Sequence, residues 1–254
     1  MDKKRVLYNV GAPLLGLALF IGIWYALALA VGISLFLPTP AETLVRFFAL
    51  LGEKNFYVAV GQTLLRTILS FSAAFILACL FAVLSAKFPF FRKAFSPFTV
   101  VLRVLPTISV ILLVILLVRS RFAAYVVIFL VIFPMQYKLV LDAIDGVDPL
   151  LKEMTEAYRF SWQKKVFSFY IPQMTPALLT GMSITLSFTV KLCIAAEVLS
   201  YVGKSMGRYM QQAYASLETA TLLAWTIAAI LLGFLLEGLL LLLKKVIVRR
   251  YHGK

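Results

Sequence analysis

The chain has 254 residues, 62% of them hydrophobic, with a formal charge of +14 and a mean hydropathy of +0.96. Soluble domains run at roughly 45–50% apolar and a helical crossing takes about 20 residues, so a soluble fold is excluded and one membrane domain of about six spans fills the length. The charge does not point to nucleic acid: no recognition motif accompanies it, and the basic residues flank apolar runs, where anionic lipid attracts each by about 1 kcal/mol.

The first apolar run covers residues 12–33, after a basic start of Lys3, Lys4 and Arg5. Its small residues Ala26, Ala28 and Ala30 resemble a signal-peptide cleavage site. The run is longer than the roughly 7–15 residues of a signal core, so a retained first helix is expected; cleavage would leave one span fewer. The second run, 62–86, opens with Gln62 to Arg66 and is followed by Lys87, Arg92 and Lys93. The third, 97–118, carries Arg103 one turn inside it, ahead of Leu105-Pro106-Thr107. Proline removes a backbone donor and frees carbonyls that something must satisfy, which suits a pore or a hinge. The fourth run is 122–141, with Lys138 near its end, where it can snorkel.

Between the fourth and fifth runs lies segment 145–173, too polar to cross a bilayer. Asp148-Pro149 is a helix opening: the carboxylate accepts from free first-turn amides, and proline loses no bond at the first position. A helix over 149–158 then puts Leu150, Met154, Ala157 and Tyr158 near one face, with Lys152, Glu153 and Glu156 elsewhere. A second stretch, 162–170, has Val166, Phe167 and Tyr170 on its apolar side, and Pro172 is expected to stop it. The result is a helix-turn-helix hairpin parallel to the membrane.

The fifth run, 176–199, contains Lys191 and Ala195-Ala196-Glu197; the sixth, 219–243, contains Glu237. All these runs are continuous, without the alternation of membrane strands, so the expected fold is an all-α polytopic helix bundle of six transmembrane helices with the hairpin outside it. Charges within spans are costly and face protein or water. Arg66 and Glu237 lie near interfaces, where snorkelling or pairing accounts for them. Lys191 and Glu197 point about 120° apart around a helix, so each meets another helix or an aqueous path. Arg103, Pro106, Lys191 and Glu197 are the pathway candidates.

Basic residues orient the bundle, because Lys and Arg accumulate on the cytoplasmic side. They crowd the N-terminus, the second-to-third link, the hairpin (Lys152, Arg159, Lys164, Lys165) and the tail (Lys244, Lys245, Arg249, Arg250, Lys254). The other side has Arg46, Lys54, Arg119, Arg121, Lys204 and Arg208. Both termini and the hairpin are therefore expected in the cytoplasm.

Little in the chain suggests catalysis. Its single histidine is His252, and Cys79 and Cys193 fall inside spans where they pack as small side chains, so neither a metal site nor a disulfide is expected. Gly203-Lys204-Ser205 looks like the end of a phosphate-binding loop, but Val198 stands where that motif needs glycine. No cofactor, no nucleotide site and no enzyme activity are expected of this chain.

The stretch EMTEAYRFSWQKKVFSFYIPQMTP resembles the cytoplasmic E-A-A…G…I-x-x-P loop of the permease subunits of bacterial ABC importers. Glu153 stands at the motif glutamate, Ser161 and Trp162 in the turn and Ile171-Pro172 at its end. Met154 and Thr155 replace its alanines and Arg159 its glycine. With φ negative an arginine turns the chain there; a glycine-dependent turn would be strained. Leu37-Pro38-Thr39-Pro40, Gln62 to Arg66, Arg103 with Leu105-Pro106, Ala195-Ala196-Glu197 and Gly203 to Tyr209 resemble the nitrate, sulfonate and taurine branch over nearly the whole chain. The resemblance implies a permease homodimer around a substrate pathway, cytoplasmic ATP-binding subunits that grip the hairpin at Glu153, Met154, Ala157, Tyr158, Arg159, Ser161 and Pro172, and an extracytoplasmic solute-binding protein. The implied location is the bacterial cytoplasmic membrane. The implied substrate is a small anion; a pyrimidine-type vitamin precursor is the alternative, and a non-ABC secondary transporter is the rival class, though no internal repeat supports it.

Overall fold

A computed structural model describes residues 11–252, with side chains as far as Ile247; the expected membrane anchors Lys3, Lys4, Arg5 and Lys254, and the side chains of Arg249, Arg250 and His252, lie outside that description. The helices in chain order are α1 (Ala12–Val31), α2 (Pro40–Leu51), α3 (Lys54–Lys87), α4 (Pro89–Val104), α5 (Thr107–Leu117), α6 (Ser120–Asp145), α7 (Pro149–Ala157), α8 (Trp162–Lys165), α9 (Ile171–Ser200), α10 (Met206–Ala215) and α11 (Thr219–His252). Five of the helical stretches are long and apolar enough to cross a bilayer, and α4 with α5 makes a sixth crossing if they form one broken span.

That break corrects the sequence expectation of a single helix over 97–118. The two halves meet at 98°. Pro106 has no N–H to continue the ladder, and its ring forces the preceding residue out of helical conformation: Leu105 is extended, with φ −56 and ψ 130. The two short helices α2 and α10 also went unforeseen. α2 starts with a capping box in which Thr39 Oγ1 accepts from Glu42 N at 3.2 Å and Glu42 Oε2 accepts from Thr39 N at 3.0 Å, with Pro40 at the first position.

The core is built where α3, α6, α9 and α11 pack together. Lipid offers apolar side chains no less than the bundle does, so close approach of backbones decides the packing. Ala59, Ala74, Ala78 and Ala82 on α3, and Ala123 and Ala124 on α6, are fully buried and allow it. Gly181 on α9 leaves room for Leu139 of α6: a Cβ there would lie 2.2 Å from Leu139 Cδ1, and that side chain would have to move. Rings fill both ends of the bundle. Phe95 packs against Phe81, Phe133 and Tyr137 near the hairpin, where the Ser85 and Tyr137 hydroxyls lie 2.7 Å apart; Trp225 is stacked between Phe56 and Tyr209 at the far end. α1 is peripheral, burying only Ala28, with Trp24 Nε1 donating to the Pro38 carbonyl at 3.1 Å.

Candidate functional site

The hairpin opens as its residues dictate. Asp148 Oδ1 accepts from Leu150 N at 2.9 Å and Pro149 takes the first helical position of α7. Thr155 is fully buried within the hairpin, its Oγ1 donating to Lys152 O at 2.8 Å, with Leu151 and Met154 half-buried. Leu150, Met154, Ala157 and Tyr158 follow the i, i+4, i+7, i+8 spacing of one helical stripe, and Glu153 at i+3 lies on that stripe too rather than apart from it as expected. Leu150 and Tyr158 are each 72% exposed, and Glu153 and Ala157 are exposed between them. The amphipathic helix thus turns an apolar stripe away from its own chain.

The turn after α7 is a Schellman motif: Phe160 N donates to Thr155 O at 3.1 Å and Arg159 N to Glu156 O at 2.9 Å. Its left-handed position is Arg159, with φ +47, so the residue standing for the motif glycine adopts the glycine conformation at a cost of about 1–2 kcal/mol. Aromatic stacking braces this turn. Phe160 stacks on Tyr158 and Phe169 with ring centroids 5.9 and 5.3 Å away, and Lys164 Nζ lies 4.3 Å from the Phe160 ring centre.

Ser161 precedes α8, exposed and without a capping bond. The second arm then departs from expectation, because Pro172 does not stop it. A π-turn over Val166–Tyr170 carries α8 into α9, and Pro172 sits within the first turn of α9. The wider π register absorbs the missing proline donor and its ring. The second arm and the fifth span are therefore one helical rod, Trp162–Ser200, 39 residues long.

The pathway candidates separate. Arg103 is exposed at the end of α4, its Nε donating to Thr99 O at 3.4 Å, and Pro106 is exposed at the break. Lys191 is exposed on α9 beside a groove shared with Glu237. Glu197 lines no opening: it is fully buried, and its carboxylate is taken up by the chain itself. Oε1 accepts from Arg66 Nη1 at 2.8 Å, while Oε2 accepts from Thr63 Oγ1 at 2.9 Å and Gly207 N at 3.2 Å. Thr63 Oγ1 in turn accepts from Met206 N at 3.1 Å. The cluster joins α3, α9 and the start of α10. Gly207 has to be glycine here, since a Cβ would meet Glu197 Cβ at 2.5 Å and Ile194 O at 2.7 Å. Pairing was one of the readings left open for Arg66, but its partner was not identified; the available signal was two opposite charges in separate apolar runs.

Residues 74–252 match the family described as binding-protein-dependent transport system inner membrane component. The nitrate import permease protein NrtB of Synechocystis sp. is 23% identical over 248 residues, covering 93% of this chain and 88% of that protein. Two solved structures of the MetNI methionine ABC transporter in inward-facing conformations share the fold. Their TM-scores are both 0.66, at 18% and 19% identity, covering 74% and 76% of this chain and 94% and 96% of theirs.

Proposed function

The chain belongs to the binding-protein-dependent transport system inner membrane components, and from that premise we propose that it is the ABC importer permease that forms a path for a small nitrate-, sulfonate- or taurine-like anion. The observation that carries this is the hairpin: an exposed apolar stripe continuous, through a braced turn, with a membrane-spanning rod. An apolar stripe in water has a partner to bury it. Here that partner is a cytoplasmic ATP-binding subunit. Glu153, Ala157 and Ser161 form the core of the contact, with Leu150, Met154 and Tyr158 filling a groove; Arg159 sets the turn and Pro172 marks where the handle enters the rod. Hydrolysis belongs to the partner. Closure of two such subunits around ATP favours one arrangement of two hairpins, and because no flexible link separates hairpin from span, the spans move with them.

Two copies of the permease enclose the path, an extracytoplasmic solute-binding protein delivers the substrate, and both termini lie in the cytoplasm of a bacterial cell. Lys and Arg crowding at the hairpin supports the orientation. The nitrate relative and the exposed cations Arg103 and Lys191 support an anion, with Pro106 supplying a hinge beside Arg103. Replacing Glu153 with Lys and Ala157 with Trp together tests the docking. The expected result is an inserted permease that no longer copurifies with, or stimulates, its ATPase; normal stimulation overturns the reading.

A further inference from the structure

The base of the hairpin is gripped from a second direction. Arg92, in the first turn of α4, holds Asp145, the last residue of α6, through two bonds: Nη1 donates to Oδ1 at 3.1 Å and Nη2 to Oδ2 at 2.6 Å. Gly146 and Val147 alone separate Asp145 from Asp148, the carboxylate that opens α7, and Val147 is buried. Asp148 N donates in turn to Gln173 Oε1 at 3.4 Å, in the first turn of α9. α4, α6 and α9 therefore meet where the hairpin leaves the bundle.

Both side chains of the ion pair are nearly half exposed, and a surface pair adds little to stability. A bidentate pair does add orientation, because the planar guanidinium fork meets the carboxylate in one geometry. Nothing else on α4 is constrained in that way. Its first half rests on rings, Phe95 against Phe81 and Tyr137 with centroids 4.9 and 5.3 Å apart, and non-directional apolar contact of this kind holds the helix close without fixing its tilt. Its second half is nearly bare. After Thr99 no residue is buried until Val110, and Val104 and Ile108 flank the 98° corner at 76% and 66% exposure. α4 thus has a pivot at the rings, a grip at Arg92 and a free end at Pro106. From Arg92 to Val104 is about 18 Å, so a tilt of about 10° at the gripped end carries the corner about 3 Å.

We propose that Arg92 is a positioning residue for transport: its grip on Asp145 carries movement of the hairpin into α4 and on to the corner at Pro106, a second route beside the rod Trp162–Ser200. This rests on the permease reading, in which ATP-binding subunits move the hairpin. The element with two arrangements is the broken span, whose halves change their angle without breaking a hydrogen-bonded ladder, because Pro106 already interrupts it. Lysine in place of Arg92 keeps the charge but makes a single-point contact, so it holds the base without fixing the angle.

The test uses the permease with its ATP-binding subunit in nanodiscs, with Cys79 and Cys193 replaced by alanine and a bimane fluorophore placed on Val104→Cys at the corner or on Ile184→Cys on the rod. Emission is read with and without ATP and vanadate. With Arg92 present, both positions are expected to change at least twofold. Arg92→Ala should abolish the change at Val104 and Arg92→Lys should at least halve it. The change at Ile184, the copurifying subunit and the melting temperature should stay as they were. The exchange of Arg92→Asp with Asp145→Arg should restore the change at Val104, which a merely structural loss would not do. A corner that responds equally in Arg92→Ala, a corner silent in the parent while the rod responds, or an exchange that restores nothing overturns the second route and leaves the permease reading standing. Absence of a copurifying ATP-binding subunit, or silence at both positions, sinks the permease reading and this inference with it.

Discussion

The two ends of the rod Trp162–Ser200 treat their polar and apolar groups in opposite ways. At the far end Glu197 is fully buried, with Arg66, Thr63 and the Gly207 amide supplied by the same chain. At the hairpin end Leu150 and Tyr158 are 72% exposed, and Glu153 lies exposed between them. A buried charge left without a partner is costly, so the Glu197 carboxylate is taken up within one chain, although Arg66 Nε has no hydrogen-bond partner among the described residues. The hairpin leaves its stripe exposed, and the proposed ATP-binding partner would cover it. The far end should therefore govern stability and the hairpin end should govern coupling.

The strongest way to break the comparison is Glu197→Ala. It leaves the Arg66 charge buried without a counterion and should cost about 3–5 kcal/mol, read as thermal melting in detergent; Arg66→Met with Glu197→Leu should recover much of the loss. A drop below about 1 kcal/mol would mean that the far end is not a brace. Next comes Gly207→Ala, where the new methyl group has no room beside Glu197 and Ile194. The expected loss is about 1–3 kcal/mol by the same assay.

Both ends share one strained device, which sharpens the contrast. Leu217 closes α10 at φ +57 in a second Schellman motif, with Glu218 N donating to Ala213 O at 2.8 Å, just as Arg159 closes α7 at φ +47. Glycine at either position should stabilise the protein by about 1 kcal/mol, measured by melting. A loss of stability in Arg159→Gly would show that the stacked rings, rather than the backbone, hold that turn. The smallest stability effect should come from Leu150→Ser, within about 0.5 kcal/mol because that side chain is 72% exposed. Yet ATP-driven uptake into proteoliposomes should fall at least tenfold.

Much of the hairpin was legible in the sequence, because its signals are local. Asp148-Pro149 announces a helix start, and a stripe spaced by three and four residues announces a face. The second arm was misread for a physical reason: proline ends an α-helix by rule, but a π-turn just ahead of it provides the register that tolerates it. The bend at Pro106 had its signal in the proline, whereas the apolar run on both sides looked like one span. α2 was equally readable from the Thr39-Pro40-Ala41-Glu42 box, which hides beside a hydrophobic stretch. The Arg66 to Glu197 pair could not be read, since nothing in local pattern sets the register of α3 against α9; only the packing of Ala59 and its neighbours does.

Site-specific photocrosslinking in intact cells tests the central claim most directly. A photoreactive amino acid at Tyr158, on the exposed stripe, is predicted to capture a nucleotide-hydrolysing subunit, while the same group at Thr155, on the buried face, captures none. Capture of no such subunit from Tyr158, with the protein inserted and folded, would contradict the account.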